Sequence, residues 1–335
     1  MKKRPNLLIT GGAGYIGSHS VKEAKNFGFN PIVYDNLSMG HAWAVQDAVL
    51  VKGDLADRAK LIQTFKRYKP AAVMHFASHI SVGESVSDPQ KYYRDNLGNA
   101  MNLFSIMLEQ KTKYFVLSST AAVYGDPVKV PMPENHPKNP VNPYGDSKYI
   151  LERILTAYDQ AYGLKSTFLR YFNASGADAS GTLGEAHQPE SHLIPLILDA
   201  AAGLRKEITV FGTDYPTPDG TCIRDYIHVT DLAAAHFLAL KRMMKTGQSD
   251  FFNLGTGKGY SVQEVIRMTE KVTGCKVPLK IGTRRAGDPP RLVAQSKKAQ
   301  KVLGWKPKYS SLENILKTAW EWHQRWHGGL KQRKK

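Results

Sequence analysis

LLITGGAGYIGSH, residues 7–19, runs from an apolar, β-favouring stretch into glycines and then into a segment with helical spacing. Gly11, Gly14 and Gly17 sit where a strand would end and a helix begin. There, glycines permit a tight turn and bring helix-terminal N–H groups against a pyrophosphate. A glycine pattern alone is weak evidence, and its surroundings decide the fold. YIGSHSVKEAKNFG is followed by PIVYD (31–35), and further on by AAVMHFA (71–77) and KYFVLSST (113–120). Short apolar runs separated by amphipathic helices predict βαβ units, hence an α/β fold with a Rossmann-type doubly wound parallel sheet.

Beyond residue 172 loops lengthen, as in NASGADASGTLGEAHQPESH (173–192) and FGTDYPTPDGTCIRDY (211–226). Long irregular loops in a compact protein usually line a site. DFFNLGTG (250–257) reads as a strand rejoining the sheet, and SLENILKTAWEWHQRW (311–326) as a closing helix. The expected organisation is a dinucleotide-binding domain over 1–172, rejoined by about 222–256. A smaller, interleaved α/β substrate-binding domain covers 173–221 and 257–330, and residues 331–335 form a disordered basic tail.

Asp35 closes the second strand about 18 residues beyond Gly17. A carboxylate there accepts hydrogen bonds from an adenosine ribose and repels a 2′-phosphate, which favours NAD over NADP. VKGDL (51–55) places Asp54 after a third strand, suited to the adenine edge.

Composition sets the bounds. The 335 residues are 42% hydrophobic and 22% charged, an ordinary globular balance, and no run of about 20 apolar residues exists to span a membrane. Cys222 and Cys275 stand far apart and outside metal-like spacing, so neither a disulfide framework nor a metal site is expected, and a cytoplasmic setting fits. The net charge of +17 fits a nucleic-acid binder, a site for an anionic small molecule, or a solubility feature. Basic residues are dense at KKAQKVLGWKPK and KQRKK, but no nucleic-acid-binding motif accompanies them, so no nucleic-acid partner is expected.

NPYGDSKYILERIL (142–155) sets Tyr144 four places before Lys148, on one helix face. Taken alone, this reads first as a surface or packing tyrosine. Beside a nicotinamide it has a purpose: a phenol with a pKa of about 10 is a poor base unless positive charge favours its ionised form. SSTAAVYG ends a strand in hydroxyl residues, and Thr120 is placed to hydrogen-bond a hydroxyl under oxidation. The glycine loop, Thr120 and the Tyr144/Lys148 pair together resemble the extended short-chain dehydrogenase/reductase family. Family members that dehydrate or decarboxylate nucleotide sugars carry acidic residues after the threonine. Here Ala121 and Ala122 stand there, and a methyl group transfers no proton.

GGAGYIGSH, HFASHISVGESV, SSTAAVYGD, PYGDSK, LRYFNASGA, DGTCIRDYIHVTDLA, NLGTG and RRAGDPP are similar to the UDP-glucose (UDP-galactose) 4-epimerase group of that family. They span about residues 10 to 295. The resemblance implies a resident NAD regenerated each turnover, UDP-glucose and UDP-galactose as substrates, and Tyr144 taking the proton of the C4 hydroxyl. It further implies that Tyr15 and Ile16 lie by the pyrophosphate and Asn36 joins Asp35 at the ribose. Leu55 joins Asp54 near adenine, Phe76, Ala77 and Ser78 run along the cofactor, and Phe172 approaches the nicotinamide. For the UDP-sugar it implies Asn173, Arg224 and Arg285 at the diphosphate, Phe211 at uracil, Asp288 at its ribose, and His192 and Leu193 over the sugar side. The bland alternative for the arginines is a surface ion pair. A homodimer is common in the superfamily and expected here.

Three positions depart from the pattern. Ile80 replaces a lysine that some members hold near the cofactor. Asp95 stands where asparagine is common. Leu292 occupies a sugar-pocket segment where some members carry an aromatic ring. Pentose or N-acetylhexosamine epimerases are the neighbouring readings. A non-catalytic NAD-sensing regulator is another, although such proteins usually lose the Tyr/Lys pair.

Overall fold

Leu7 and Ile9 face one way from the first strand and Leu8 the other, and all three are fully buried. A strand apolar on both faces belongs inside a sheet covered on both sides. The computed structural model describes residues 4–285 and 287–333. Its central sheet comprises β1 (Asn6–Thr10), β2 (Asn30–Asp35), β3 (Val49–Lys52), β4 (Ala72–His75), β5 (Tyr114–Ser118), β6 (Lys165–Arg170) and β7 (Asp250–Asn253). Their spatial order is β7-β6-β5-β4-β1-β2-β3, every pair parallel. The order reverses between β1 and β4, and ligands of open α/β sheets bind outside the carboxyl ends of the strands at such a point.

One face is covered by α1 (Tyr15–Ala24) and by the helix Val229–Thr246, through Val21, Ala24, Leu232, Ala235 and Phe237. The other face is covered by the helices Arg58–Tyr68 and Asn99–Glu109 and by α2 (Pro143–Tyr162), through Leu61, Phe65, Leu103, Phe104, Leu151 and Leu155. Each such valine, leucine or phenylalanine contributes roughly 1.5–3 kcal/mol on burial.

A separate apolar cluster joins α3 (Leu193–Ala201), the strand Ile208–Phe211, the helix Val262–Thr273 and α4 (Leu312–Arg333), centred on Ile197, Leu198, Val265, Ile315 and Leu316. α4 clamps the long loop before α3, because the Trp322 indole donates to the Glu185 carbonyl at 2.9 Å. Trp43 stacks on Trp322 with centroids 5.5 Å apart, closing the same layer from the β2 side. α4 runs to Arg333, so residues 331–333 continue a helix instead of forming a tail; Lys334 and Lys335 lie outside the described residues. Among the described residues, no helix is long and apolar enough to cross a membrane.

Candidate active site

The turn after β1 leaves no room for side chains. Gly11 has φ +71°, and a Cβ there would lie 2.4 Å from the Ala77 nitrogen; a Cβ on Gly17 would lie 2.1 Å from the Gly11 carbonyl oxygen. The loop therefore packs directly on β4's exit and on itself. Gly14 caps α1 without any side chain bonded to the helix start, leaving the first backbone N–H groups, those of Tyr15, Ile16 and Gly17, for an anion. The close backbone approach that Gly11 and Gly17 permit, with these N–H groups at the helix start, fits a dinucleotide pyrophosphate.

At the end of β2, the Asp35 carboxylate accepts from the backbone N–H of Ala13 at 3.0 Å and of Leu37 at 2.8 Å. It is thereby locked to the glycine loop, and burial raises its pKa above the ordinary value against those two bonds. The Asn36 amide donates to Asp54 at 2.7 Å, while Leu55 is buried beside them. Asp35, Asn36, Asp54 and Leu55 thus form one rim over β2 and β3. Phe76 follows β4, its N–H donating to the Thr10 carbonyl at 2.8 Å, and leads into Ala77 and Ser78.

α2 begins where Asn142 accepts the N–H of Gly145 at 2.9 Å, with Pro143 in the first turn. Tyr144 follows, with Thr120 close enough that its hydroxyl lowers the phenol's pKa. Thr120 Oγ1 also accepts the N–H of Ala122 at 3.1 Å, which fixes its rotamer. Lys148, 2% exposed, donates through Nζ to Ser78 Oγ at 2.7 Å and to the Ser118 carbonyl at 3.0 Å. Burial drives its pKa down to about 7, against the opposing charge of Glu152.

In the unliganded site burial raises the Tyr144 pKa, and the nearby Thr120 hydroxyl offsets only part of that rise. The Lys148 ammonium together with a bound nicotinamide is the positive charge expected to favour the phenolate. Tyr171, buried alongside and bonded to Ser118 Oγ at 2.5 Å, is also held protonated by its burial and by Tyr144.

On the far side, Phe172 and Leu292 pack on the same small cluster of Ala121, Val123, Tyr124 and Met132. Leu292 is the register partner of Arg224, in the paired short strands Arg291–Leu292 and Ile223–Arg224. Arg224 is ion-paired with Asp288 and donates to the carbonyls of Ile223 at 2.8 Å and Pro289 at 3.0 Å. The reading of Arg224 as free for a diphosphate is modified accordingly: much of its donor set is held by the protein. The Arg285 guanidinium lies 4.0 Å from the Phe211 ring centroid. The Asn173 amide donates to the Asp225 carbonyl at 3.0 Å. His192 caps α3 and faces Glu185 and Glu190, while Leu193 packs on the substrate-side core.

Asp95 is engaged by Arg94 at 2.7 Å and by His79 at 3.1 Å, and Ile80 is exposed. Its neighbour Asn96, buried and absent from the sequence reading, accepts from the His79 N–H at 2.9 Å and donates to Ser147 Oγ at 3.2 Å. It ties the exit of β4 to α2 and so sets the spacing between Ser78 and Lys148. Tyr171 and Ser118 were also missed, because neither stands in a spaced pattern; only the packing brings them to Tyr144.

Residues 7–255 match the NAD dependent epimerase/dehydratase family. A UDP-glucose 4-epimerase of Halalkalibacterium halodurans is 51% identical, over 95% of this chain and 95% of its own. One from Rhizobium meliloti is 50% identical, over 97% and 98% respectively. Among solved structures, a UDP-glucose 4-epimerase from Brucella ovis in complex with NAD superposes with a TM-score of 0.93 at 49% identity, covering 94% of this chain and 97% of that one.

Proposed function

The chain belongs to the NAD dependent epimerase/dehydratase family, and from that premise we propose that it is an NAD-dependent UDP-sugar 4-epimerase interconverting UDP-glucose and UDP-galactose. The observation that carries this reading is buried Lys148, which donates to Ser78 and to the Ser118 carbonyl at the carboxyl ends of β4 and β5, one helical turn from Tyr144 and within one site with the glycine cradle.

Gly11, Gly14, Tyr15, Ile16 and Gly17 would hold the cofactor pyrophosphate, Asp35 and Asn36 its ribose, and Asp54 and Leu55 its adenine. Phe76, Ala77, Ser78 and Phe172 would flank the nicotinamide. When bound, NAD supplies a positively charged ring that accepts hydride from C4 of the sugar and returns it to the other face of the 4-keto intermediate. Tyr144 Oη takes and returns the C4 hydroxyl proton. In the unliganded site burial keeps the phenol protonated, the form that donates; taking the C4 proton needs the phenolate, which the charges of Lys148 and of bound NAD would favour. Thr120, set beside that phenol, orients it and shortens the proton's path. Ser78 and the Ser118 carbonyl hold the Lys148 ammonium in place.

On the substrate side, Asn173, Arg285 and the remaining donors of Arg224 would meet the diphosphate, where guanidinium forks suit phosphate oxygens. Phe211 would flank uracil, Asp288 its ribose, and His192, Leu193 and Leu292 the sugar. This reading assigns residues 1–172 and about 222–256 to the cofactor, and 173–221 and 257–330 to the substrate. A homodimer in the cytoplasm belongs to the same reading, and the two free cysteines suit a reducing compartment.

The test incubates purified protein with UDP-glucose, UDP-galactose, their N-acetylhexosamine counterparts and UDP-pentoses, then separates the products. Acid release and mass measurement identify the cofactor. Hexose interconversion with released NAD is the expected result; recovery of NADP, or no interconversion, overturns it.

Leu292 favours a second activity on UDP-N-acetylhexosamines. It is only half-buried beside Phe172, and leucine leaves space that a rigid aromatic ring would fill. Leu292→Tyr is expected to lower N-acetylhexosamine turnover about 10–200-fold more than hexose turnover, the range for a steric pocket difference. Equal losses in kcat/KM on both substrates would reduce Leu292 to a packing residue.

A further inference from the structure

The loop entering α3 contains Glu-x-His-x-x-Glu-x-His: Glu185, His187, Glu190 and His192. Neither Cys222 nor Cys275 has metal-like spacing, but these donors are of another kind. One ligand atom from each of the four lies within 4.8 Å of all the others. Both imidazoles present Nδ1. That of His187 is 3.1 Å from Glu185 Oε1 and 3.7 Å from Glu190 Oε2. That of His192 is 2.7 Å from Glu185 Oε1 and 3.1 Å from Glu190 Oε1.

A tetrahedral zinc ion with nitrogen and oxygen ligands at about 2.0–2.2 Å has donor–donor edges of about 3.4 Å. With Glu190 Oε2 as the fourth donor, the edges of 2.7, 3.1 and 3.7 Å bracket that value. Glu190 is held in its rotamer by backbone N–H groups of Ser191 at 2.7 Å and His192 at 2.8 Å, both on Oε1, which leaves Oε2 turned toward His187. Two carboxylates carry a charge of about −2, matched by one divalent cation bound to two neutral imidazoles.

We propose that Glu185, His187, Glu190 and His192 bind a structural divalent cation, and the mixed imidazole–carboxylate tetrahedron selects zinc. Four protein ligands close the coordination, so the ion has no open position for substrate. Its effect is on the loop. The Glu185 carbonyl is already bonded to Trp322, and the Ala186 carbonyl to His41 at 2.9 Å. His187 meets the Tyr15 ring edge-on with centroids 6.3 Å apart, and the Tyr15 hydroxyl donates to the Gly176 carbonyl at 2.5 Å. A cation here fastens the loop against the first turn of α1 and fixes His192 at the start of α3. The inference is independent of which sugar the protein takes.

The experiment uses full-length protein made without an affinity histidine tag. Metal content is measured by mass spectrometry after exhaustive dialysis, and chelator-stripped protein is titrated with zinc chloride alone. Stoichiometric zinc is expected to remain with the wild type. Glu185→Gln and His187→Ala are each expected to weaken zinc binding by at least about 100-fold, since loss of even an outer-shell partner costs 10–100-fold. Cobalt(II) added to stripped wild-type protein should give the intense visible absorption of a tetrahedral ion. That spectrum decides the matter even where a variant fails to fold. Wild-type protein that binds no zinc, a weak octahedral cobalt spectrum, or undiminished zinc affinity in a folded His187→Ala variant would each overturn the proposal and leave an ion-pair cluster only.

Discussion

Lys148 and Arg170 are both about 2% exposed and both face Glu152, yet they end in opposite states. Arg170 Nε donates to Glu152 Oε1 at 2.9 Å, and a second guanidinium nitrogen pairs with Oε2. A third nitrogen donates to Tyr124 Oη at 2.9 Å, and the guanidinium lies 4.6 Å from the Phe251 ring centroid. Burial works against its charge, but the bidentate carboxylate outweighs burial and raises its pKa. Lys148 stands one turn before Glu152 on α2, but that carboxylate is taken by Arg170 and by Ser119 Oγ at 2.7 Å. The lysine is left with a hydroxyl and a carbonyl. A buried cation with a dedicated counter-ion is fixed in charge; one with neutral partners titrates near neutral pH. The first is architecture and the second is available to chemistry.

The sharpest way to break this comparison is to act on the chemistry. Tyr144→Phe is expected to lose about 10²–10⁴-fold in kcat while retaining UDP-sugar affinity, the usual contribution of a general acid/base. Lys148→Ala should lose at least as much with little loss of stability, because it also removes a desolvated charge. Steady-state kinetics paired with equilibrium UDP-sugar binding checks both. Near wild-type kcat in Tyr144→Phe would dismantle the assigned mechanism.

The opposite pattern is expected of the structural cation. Arg170→Met strands the Glu152 carboxylate in the interior and should lower the unfolding free energy by about 3–5 kcal/mol. The double variant Arg170→Met/Glu152→Leu should recover most of it, since apolar replacements of a buried pair are often neutral or stabilising. Urea denaturation reads both. A mild single-variant effect would mean that Glu152 reaches solvent or Lys148 readily enough to need no arginine.

The smallest effect is a pH slope. Burial lowers the Lys148 pKa from 10.5 to about 7 in the folded state. Between about pH 7 and 10.5 the unfolded chain therefore holds a proton that the folded protein releases, and stability from this group rises with pH across that window. Below pH 7 both states are protonated and the full penalty applies. Lys148→Met should remove this rise, so its stability advantage over wild type narrows from pH 7 to 9.5. A pH-independent difference in urea midpoints would place the folded lysine's pKa outside the window.

The parallel sheet, the glycine turn and the start of α2 were legible in the chain because each obeys a local rule. Strands buried on both faces read as short apolar runs, Gly11 and Gly17 sit where a Cβ would strike backbone, and Asn142-Pro143 opens a helix that puts Tyr144 and Lys148 on one face. The quartet at 185–192 was also within reach, since its spacing is local, but attention to cysteines passed over it. What the chain could not disclose is which groups neutralise one another. Lys148 finds Ser78 across 70 residues, Arg224 finds Asp288 across 64, and Glu152 is claimed by Arg170 from β6. Ionisation depends on desolvation and on partners brought close by packing, neither of which has a period along the sequence. The sequence determined the fold and the residue types at the site. Their charge states were decided by the tertiary structure alone, because burial and distant partners set the cost of each charge.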